Sequence, residues 1–426
     1  MSINSSRVII IGGGFGGLNV AKKIGKANVE VLLIDKTNHH LFQPLLYQVA
    51  TAALSPADIA TPIRGILKTY NNQTVLMGNV EKIDKEKKQI QLINGDIYAY
   101  DFLVVAVGAK HSYFNNPEWE EFAPGLKTLL DALKIREKVL ISFEKAERSD
   151  SLSEARKYLN FVIVGGGPTG VELAGAIAEI AHETMLKNFR RIDPTKTKIY
   201  LVEAANQILP AFPKDLADKA KNYLERFGVK VLTSKRVVNV TNDGVNINDT
   251  FIETKNVIWA AGNKASPVLK TLNTRLDNQG RVFVEKDLTI PNHPEIFVIG
   301  DAAHAVDKNN KTLPGLAPVA IQQGRYVANI IKENISQSKR KPFKYFDKGS
   351  LATIGKTKAV GTFKKFKFSG FKAWLAWCIV HIMYLVTFKN RLIALTQWVF
   401  SYILGQRGAR LINRDIDIDL KNRLKK

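Results

Sequence analysis

The chain of 426 residues contains a single cysteine, Cys378, and this scarcity excludes several kinds of site. One thiol cannot form an intramolecular disulfide, and it cannot supply the paired cysteines of common zinc sites or of iron–sulfur clusters. We therefore expect neither a metal site nor a disulfide redox centre. The N-terminus shows no secretory signal and no Arg-rich transit peptide, so we expect the protein to work on the cytoplasmic side.

Acidic residues are scarce near the C-terminus. Residues 339–426 hold 20 basic and 4 acidic residues, a net charge of +16 out of +23 for the whole chain. The first 338 residues hold 42 basic and 35 acidic residues and therefore carry only +7. An anionic partner is thus expected at the C-terminal region. The length and the 45% hydrophobic content predict two or three folded domains.

Two segments about 150 residues apart repeat one pattern: an apolar strand, a glycine-rich turn, a helix, and a second strand that ends in an acid. The first runs from RVIII at 7–11 through GGGFGG to Asp35, and the second from FVIV at 161–164 through GGGPTG to Glu203. Such a duplication predicts two doubly wound nucleotide-binding units. We predict an α/β fold with two Rossmann-like dinucleotide-binding domains, the second inserted in the first, plus a C-terminal amphipathic helical region that anchors to a membrane.

The first glycine turn has the spacing of a pyrophosphate-binding loop. Its first glycine makes the tight turn, the second admits the pyrophosphate, and the third lets the helix pack against the strand. Asp35 is placed to accept hydrogen bonds from ribose hydroxyls, and Asp301, in IFVIGDAAH, is placed to hold the polyol of a flavin. The residues that we assign to this site are Gly12, Gly14, Phe15, Gly16, Gly17, Asp35, Lys36, Gly108 and Asp301.

The second glycine turn has the same context, but its acid lies 38 residues after Gly165. We expect a helix extension and loop over 182–198 to absorb the extra length. No Arg or Lys stands in AANQ after the acid, so a 2′-phosphate would meet a carboxylate without a cation, which favours NADH over NADPH. The residues that we assign to this site are Gly165, Gly167, Pro168, Thr169, Gly170, Glu203 and Gly262.

Other patterns predict how the chain is organised. Residues 74–107 predict an antiparallel meander that leads into a buried strand, 126–148 a helical connector, and 229–240 and 245–259 further strands. The domains that we predict are a first FAD-binding part at 1–115, a connector at 116–154, an NADH-binding domain at 155–270, a second FAD-binding part at 271–335, and a membrane-anchoring region at 336–426.

Longer motifs give a more specific indication. The chain resembles the type II NADH:quinone oxidoreductases, single-subunit flavoproteins of respiratory chains that do not pump protons. The resemblance runs from Arg7 to about Leu411 and depends chiefly on FQPLLYQVA and PVAIQQG. It implies non-covalent FAD, NADH as the substrate, and a membrane quinone as the acceptor. Because disulfide reductases of this architecture need a cysteine pair, the single thiol agrees with direct transfer to a quinone.

The resemblance also implies residues for the chemistry. Glu172 would lie near the flavin and the nicotinamide as a catalytic carboxylate, although an acid in the first helical turn can simply interact with the helix dipole. Gln322 would hydrogen-bond a quinone carbonyl, with Ala317 and Pro318 beside it; a glutamine that stabilises a helix start is the alternative. Pro318 stands where the family has a first glutamine, and it cannot donate a hydrogen bond.

Two further segments allow more than one interpretation. His39 and His40 form a loop pair that we expect to face solvent, and we assign neither to catalysis. The apolar segment at 42–47 suits either the entry of a lipophilic acceptor or ordinary core packing.

The segment from Phe371 to Leu404 predicts a region that attaches to a membrane. It holds 25 apolar residues among 34, no acid, and three of the five tryptophans. The run 373–388 would span about 24 Å as one helix, which is less than the ~30 Å of a bilayer core. In the following helix the residues that fall on one narrow face are Asn390, Ala394, Gln397 and Ser401.

These observations favour a peripheral protein on an anionic membrane surface, at the cytoplasmic face of the cell membrane, over a spanning one. Basic clusters on both sides of the apolar segment oppose a single crossing. We expect no nucleic-acid partner, since such a partner would not explain the apolar block. An internal core helix or a dimer face could bury the same residues instead of a membrane, and the second of these alternatives would make the protein a homodimer. The competing function is a soluble NADH-dependent flavin reductase of a small iron–sulfur or rubredoxin-type protein.

Overall fold

The computed structural model describes residues 5–404 and 407–412, with no side chains described for 402–404. The basic end of the predicted C-terminal region, residues 413–426, lies outside this described part. The described strands are β1 (Ser6–Ile11), β2 (Val29–Asp35), β3 (His39–Leu41), β4 (Ala60–Pro62), β5 (Gln73–Met77), β6 (Val80–Asp84), β7 (Gln89–Leu92), β8 (Ile97–Ala99), β9 (Phe102–Val105), β10 (Ala109–His111), β11 (Asn160–Val164), β12 (Lys198–Val202), β13 (Val229–Leu232), β14 (Val237–Val240), β15 (Gly244–Ile247), β16 (Thr250–Glu253), β17 (Asn256–Trp259), β18 (Asn263–Ala265), β19 (Val282–Phe283), β20 (Thr289–Ile290), β21 (His293–Val298), β22 (Ala303–His304), β23 (Ser350–Ile354), β24 (Lys358–Phe363) and β25 (Phe366–Gly370).

The α-helices of the described residues are α1 (Phe15–Ile24), α2 (Leu46–Ala50), α3 (Pro56–Ile59), α4 (Ile63–Leu67), α5 (Trp119–Phe122), α6 (Leu129–Glu147), α7 (Leu152–Leu159), α8 (Pro168–Glu179), α9 (Lys214–Arg226), α10 (Ala317–Lys332), α11 (Phe371–Tyr384) and α12 (Phe388–Leu404). A π-helix spans Ile180–Thr184, and short 3-10 helices span Gln43–Leu45, Pro194–Lys196, Pro267–Leu272, Gly300–Ala302 and Gln337–Lys339.

The chain divides into two compact units. The first contains 1–41, 60–112 and 263–348, and the second contains 42–59, 113–262 and 349–426. Each glycine motif lies in a different unit, and each follows the central strand of a parallel sheet. This confirms the predicted α/β fold with two dinucleotide-binding sheets.

The first unit is built on a six-stranded sheet in the order β20-β21-β9-β1-β2-β5. Strands β5, β2, β1, β9 and β21 are parallel, and β20 joins β21 antiparallel. The core is formed by fully buried aliphatic side chains such as Ile9, Leu103 and Ile296. The meander prediction is correct for β6, β7 and β8, which pair antiparallel, but wrong at its start. Strand β5 instead pairs in parallel with β2 at the edge of the six-stranded sheet, and the antiparallel meander begins only at β6.

The second unit is built on the parallel sheet β13-β12-β11-β17, flanked by the antiparallel sheet β14-β15-β16. The connector prediction corresponds to α6, which begins at a capping box formed by Thr128 and Asp131. The extra length before Glu203 is taken up by the π-helix, a loop and one 3-10 turn before β12, as expected. The indole of Trp259 lies 5.3 Å from the Tyr113 ring and 5.5 Å from the Trp119 ring in the core.

The described residues from Gly349 onwards belong to this second unit. Strands β23, β24 and β25 form an antiparallel sheet, and β23 packs on α8 so closely that a side chain on Gly175 would lie 3.0 Å from the Gly355 amide. The apolar run 373–388 is divided between two helices, because α11 ends at Tyr384 and α12 begins at Phe388. Among the described residues, no helix combines the length and hydropathy that a bilayer crossing requires.

Helix α12 is amphipathic, but its faces are used in an unexpected way. The Asn390 amide donates to the carbonyls of Ala57 and Asp58 at 2.8 and 2.7 Å, and Ala394 is fully buried. The start of the predicted narrow face therefore packs on α3 of the same unit, whereas Gln397, which was predicted on that face, is exposed. The large apolar side chains of α11 and α12 that remain exposed are Phe371, Leu375, Ile379, Val380, Met383, Phe388, Leu392, Leu395, Val399 and Phe400.

Candidate active site

The turn between β1 and α1 leaves an open helix N-terminus. Gly12 adopts φ +102°, and a side chain there would lie 2.4 Å from the Ala106 carbonyl oxygen. A side chain on Gly17 would lie 1.9 Å from the Gly12 oxygen, so both positions need glycine. Gly14 begins the helix without a capping side chain, and open space surrounds it. Because the first amides of a helix have no partner within the helix, this turn fits the pyrophosphate of a dinucleotide.

Asp35 holds the turn in place. One of its carboxylate oxygens accepts the Gly13 amide at 2.6 Å, and the other accepts the amide and the hydroxyl of Thr37, both at 2.7 Å. Lys36 is exposed directly after it, and Phe15 opens α1. The acid is thus fixed at the strand end, where the remaining lone pairs of its oxygens can accept from a ribose.

His40 departs from the expectation for the histidine pair. Its ring is buried, its Nδ1 lies 2.9 Å from the Gly13 carbonyl oxygen, and its edge meets the Phe15 ring at 5.1 Å. Burial lowers the pKa of His40, so the ring favours the neutral form. The expectation that His40 faces solvent is wrong, because the antiparallel pair β3–β4 turns this side chain under the glycine turn.

The second glycine turn repeats the first. Gly165 adopts φ +107°, and Gly167 begins α8 without a capping side chain and with open space around it. Pro168 and Thr169 are exposed at this helix start, and Gly170 packs against Gly165. The Glu203 carboxylate accepts the amides of Gly166 at 2.6 Å and of Ala205 at 2.7 Å. The residues therefore fit a second dinucleotide. Gly262, with φ +72°, follows β17 in this unit.

Asp301 lies in a cleft of about 440 Å³ within the first unit. Gly300 precedes it with φ +68°, and its amide donates to the buried Gln323 side chain at 2.7 Å. Gly315 faces the acid so closely that a side chain would lie 3.0 Å from Oδ1. Gly108, with φ +65°, has open space around it in the same unit.

The Gln322 carboxamide is already engaged. It donates to the Phe346 carbonyl and accepts the Phe346 amide, both at 2.9 Å. Ala317 and Pro318 form the first turn of α10, where the missing N–H of proline leaves no helical hydrogen bond unmade. The buried glutamine of this segment is Gln323, which the sequence analysis passed over.

The second unit contains a cavity of about 600 Å³ between α2, α8, β23, α11 and α12. Glu172 lines it, and burial raises the pKa of this carboxyl to about 8, opposed by a hydrogen bond from the Thr353 amide. The carboxyl is therefore mostly protonated at neutral pH. The aromatic residues that line the cavity are Tyr47, Trp374, Trp377 and Trp398.

A chain of hydrogen bonds orients the phenol of Tyr47. The Trp398 indole donates to Gln48 at 2.7 Å, and the Gln48 amide donates to the Tyr47 hydroxyl oxygen at 2.9 Å. Burial and the nearby Glu172 carboxyl raise the pKa of Tyr47, so the phenol keeps its proton. The Trp377 indole nitrogen is buried in the cavity wall without a hydrogen-bond partner among the described residues.

Arg407 closes the cavity on another side. Its guanidinium donates to Glu179 at 2.7 Å and to the Thr51 carbonyl at 2.7 Å, and all three residues are buried. The Lys356 amide donates to the other Glu179 oxygen at 2.5 Å. The pair ties residue 407 to the end of α8, where the π-helix begins.

Two family models match successive parts of the chain. Residues 6–324 match the family model described as pyridine nucleotide-disulphide oxidoreductase, and residues 348–407 match the NDH2 C-terminal domain. A type II NADH:quinone oxidoreductase of Mycobacterium tuberculosis, Ndh, is 43% identical over 94% of this chain and 89% of its own length.

The chain belongs to the type II NADH:quinone oxidoreductase family.

A second family member from the same organism, NdhA, is 44% identical over 95% of this chain and 89% of its own length. The solved structure of NDH2 from Plasmodium falciparum in complex with NADH superposes with a TM-score of 0.87, at 24% identity, over 95% of this chain and 99% of that one. That structural likeness supports the fold. Four residues of the cavity were not predicted as site residues: Tyr47, Gln48, Trp377 and Arg407. The motif FQPLLYQVA contains the first two and was the sequence signal that pointed to them.

Proposed function

We propose that this protein oxidises NADH and reduces a quinone, with FAD as its bound cofactor and without pumping protons. Family membership over nearly the whole chain supports this function. The structural observation that carries it is the cavity of the second unit, in which the buried Glu172 faces aromatic side chains, three of them from the segment that matches the NDH2 C-terminal domain. With only Cys378 in the chain, a dithiol relay is excluded.

The two glycine turns provide the cofactor and substrate sites of this proposal. FAD would lie on the first turn, held by Asp35 and Asp301, and NADH on the second, held by Glu203. Bound FAD supplies the acceptor for the hydride of NADH and returns two electrons to the quinone. The Glu203 carboxylate, anchored by two backbone amides, cannot move away from a 2′-phosphate, and this supports a preference for NADH.

The cavity of the second unit would admit the quinone. Its aromatic walls suit a flat lipophilic ring, the Trp377 indole and the Tyr47 phenol can each donate a hydrogen bond to a carbonyl oxygen, and Glu172 can hold the proton that a reduced oxygen takes up. Gln322, Ala317 and Pro318 belong to the first unit and do not line this cavity; we keep them as quinone contacts proposed from the family resemblance alone. For Gln322 this requires that its amide exchange the Phe346 backbone for the quinone.

The exposed face of α11 and α12 supports attachment to a membrane. Phe388 is 77% exposed, Met383 63% and Phe400 60%, although each is strongly apolar. Many exposed large apolar side chains on two successive helices mark an interaction site, and the exposed Lys372 and Lys389 on the same helices suit an anionic lipid surface. We propose the cytoplasmic face of the cell membrane as the location. A soluble reductase of an iron–sulfur or rubredoxin-type protein would leave this face without a role.

Stopped-flow absorbance tests the function. The flavin should bleach on mixing with NADH and recover on mixing with a short-chain quinone, with no added protein acceptor. Ferredoxin- and rubredoxin-type acceptors are the control for the competing function. Reduced flavin that persists with the quinone but is reoxidised by such a protein would refute the proposal.

A further inference from the structure

The hairpin that joins β24 to β25 ends in an exposed aromatic and basic tip, which we call the FKKF tip (residues 363–366). Phe363 is 42% exposed and Phe366 is 73% exposed, and the two lysines between them are exposed as well. No role in cofactor binding or in the cavity accounts for these side chains, because none of them lines either site.

The strand register places the two phenylalanines together. Phe363 and Phe366 are directly opposite each other in the β24–β25 pair, so their side chains lie on the same face of the hairpin. The Lys364 ammonium lies 5.6 Å from the centre of the Phe363 ring. The tip therefore presents two adjacent phenyl rings with two ammonium groups at their edge.

The turn itself is occupied in an unusual way. Lys364 adopts φ +53°, in the left-handed region that glycine or asparagine normally fills in a two-residue hairpin turn. A lysine is therefore not the residue that best stabilises this turn. Its presence is explained if the ammonium group serves an interaction outside the fold.

The charges around the tip favour an anionic surface. Residues 349–404 contain no Asp or Glu. Lys367, next to the tip, is paired with Asp215 of α9 at 2.8 Å, whereas Lys364 and Lys365 have no acidic partner within 4 Å in the described part of the chain. Among the described residues of their unit, these two lysines thus have no acidic side chain that would compete with an anionic surface.

We propose that the FKKF tip is a second lipid-contact point, distinct from α11 and α12, at which the two phenyl rings enter the membrane interface and the two lysines bind anionic headgroups. The proposal rests on the membrane attachment proposed above. Aromatic rings favour the interfacial zone, and each lysine near an anionic leaflet adds attraction. A lipid surface suits the tip better than an acidic protein does, because a bilayer interface offers both an apolar zone for the two exposed phenyl rings and anionic headgroups for the two lysines.

A site-specific label on the full-length holoprotein tests this proposal. Cys378 is buried, so a maleimide carrying an environment-sensitive fluorophore should react selectively with a cysteine introduced as Lys365→Cys. The control is Val238→Cys, at an exposed position of β14 in the same unit. With phosphatidylglycerol vesicles, the emission at position 365 should shift to shorter wavelength and the emission at position 238 should not.

A second measurement uses unlabelled variants. Lys364→Ser/Lys365→Ser should weaken sedimentation with phosphatidylglycerol vesicles by roughly tenfold or more, and Phe366→Ser should weaken it several-fold. NADH oxidation with a water-soluble quinone should not change, which shows that the variants are folded.

The outcomes separate the two proposals. If the protein binds vesicles but the label at position 365 stays in water and the lysine variant binds as the wild type does, the FKKF tip proposal is wrong and attachment through α11 and α12 stands. If the protein does not bind vesicles at all, both membrane proposals are wrong, while reduction of a water-soluble quinone still reports on the enzyme function. A shift that appears only with an added acidic protein would overturn the lipid assignment.

Discussion

Replacing Glu172 by Gln should change how stability and activity depend on pH. Burial raises the pKa of this carboxyl from 4.5 to about 8 in the folded protein. Well below pH 4.5 the Glu172 carboxyl is protonated in both the folded and the unfolded state, so its burial adds no pH-dependent loss of stability. As the pH rises from 4.5 towards 8, the unfolded state gains by losing its proton while the folded state keeps it, so the native state loses stability progressively.

The size of this loss follows from the two pKa values. It approaches roughly 5 kcal/mol once the pH exceeds both, and between pH 6 and pH 9 it amounts to roughly 3 kcal/mol. The glutamine of the Glu172→Gln variant does not titrate, so the variant has no such pH-dependent loss of stability. The wild type should therefore lose about 3 kcal/mol more than the variant over that range.

Unfolding of the holoprotein at pH 6 and pH 9 measures this difference. Glu225→Gln, an exposed change of the same chemistry on α9, is the control and should follow the wild type. In the quinone half-reaction, the wild-type rate should fall above pH 8 as the carboxyl loses its proton, and the variant should be slow without that decline. Parallel stability curves for wild type and Glu172→Gln, together with identical pH profiles of quinone reduction, would refute the assignment of a buried protonated acid.

Two other predictions concern coenzyme choice and attachment. Glu203→Ser with Ala204→Arg should raise kcat/KM for NADPH relative to NADH, because the fixed carboxylate is removed and a cation is added next to it. An unchanged ratio would mean that Glu203 does not contact the ribose. Leu392→Ser/Leu395→Ser/Val399→Ser should release the protein from anionic vesicles while leaving flavin content unchanged, because these side chains contribute apolar area outside the core at roughly 25 cal/mol per Å². Salt alone should weaken but not abolish wild-type binding; complete release by salt would show that the attachment is purely electrostatic.

The parts of the molecule that local sequence determines were predicted correctly. A glycine is required at Gly17 by the carbonyl oxygen of Gly12, five residues earlier, so this part of the motif predicts its own geometry. The acid at the end of the following strand is fixed by the same local unit, which is why the placement of Asp35 and Glu203 at their strand ends could be predicted from spacing. Apolar and basic composition also indicated where the chain has an exposed hydrophobic face.

Only the tertiary structure decided what the distant segments form together. The cavity combines Tyr47, Glu172 and Trp377, which lie more than 100 residues apart from one another, and no local pattern specifies that they meet. The turn of His40 beneath the first glycine loop depends on the pairing of β3 with β4. The sequence likewise does not determine which face of α12 is buried. Its periodicity predicts two faces, but the burial of the face that carries Asn390 depends on the carbonyls of Ala57 and Asp58, which accept hydrogen bonds from the Asn390 amide. Sequence fixes a residue's role when its partners are near in the chain; when partners come from remote segments, packing decides.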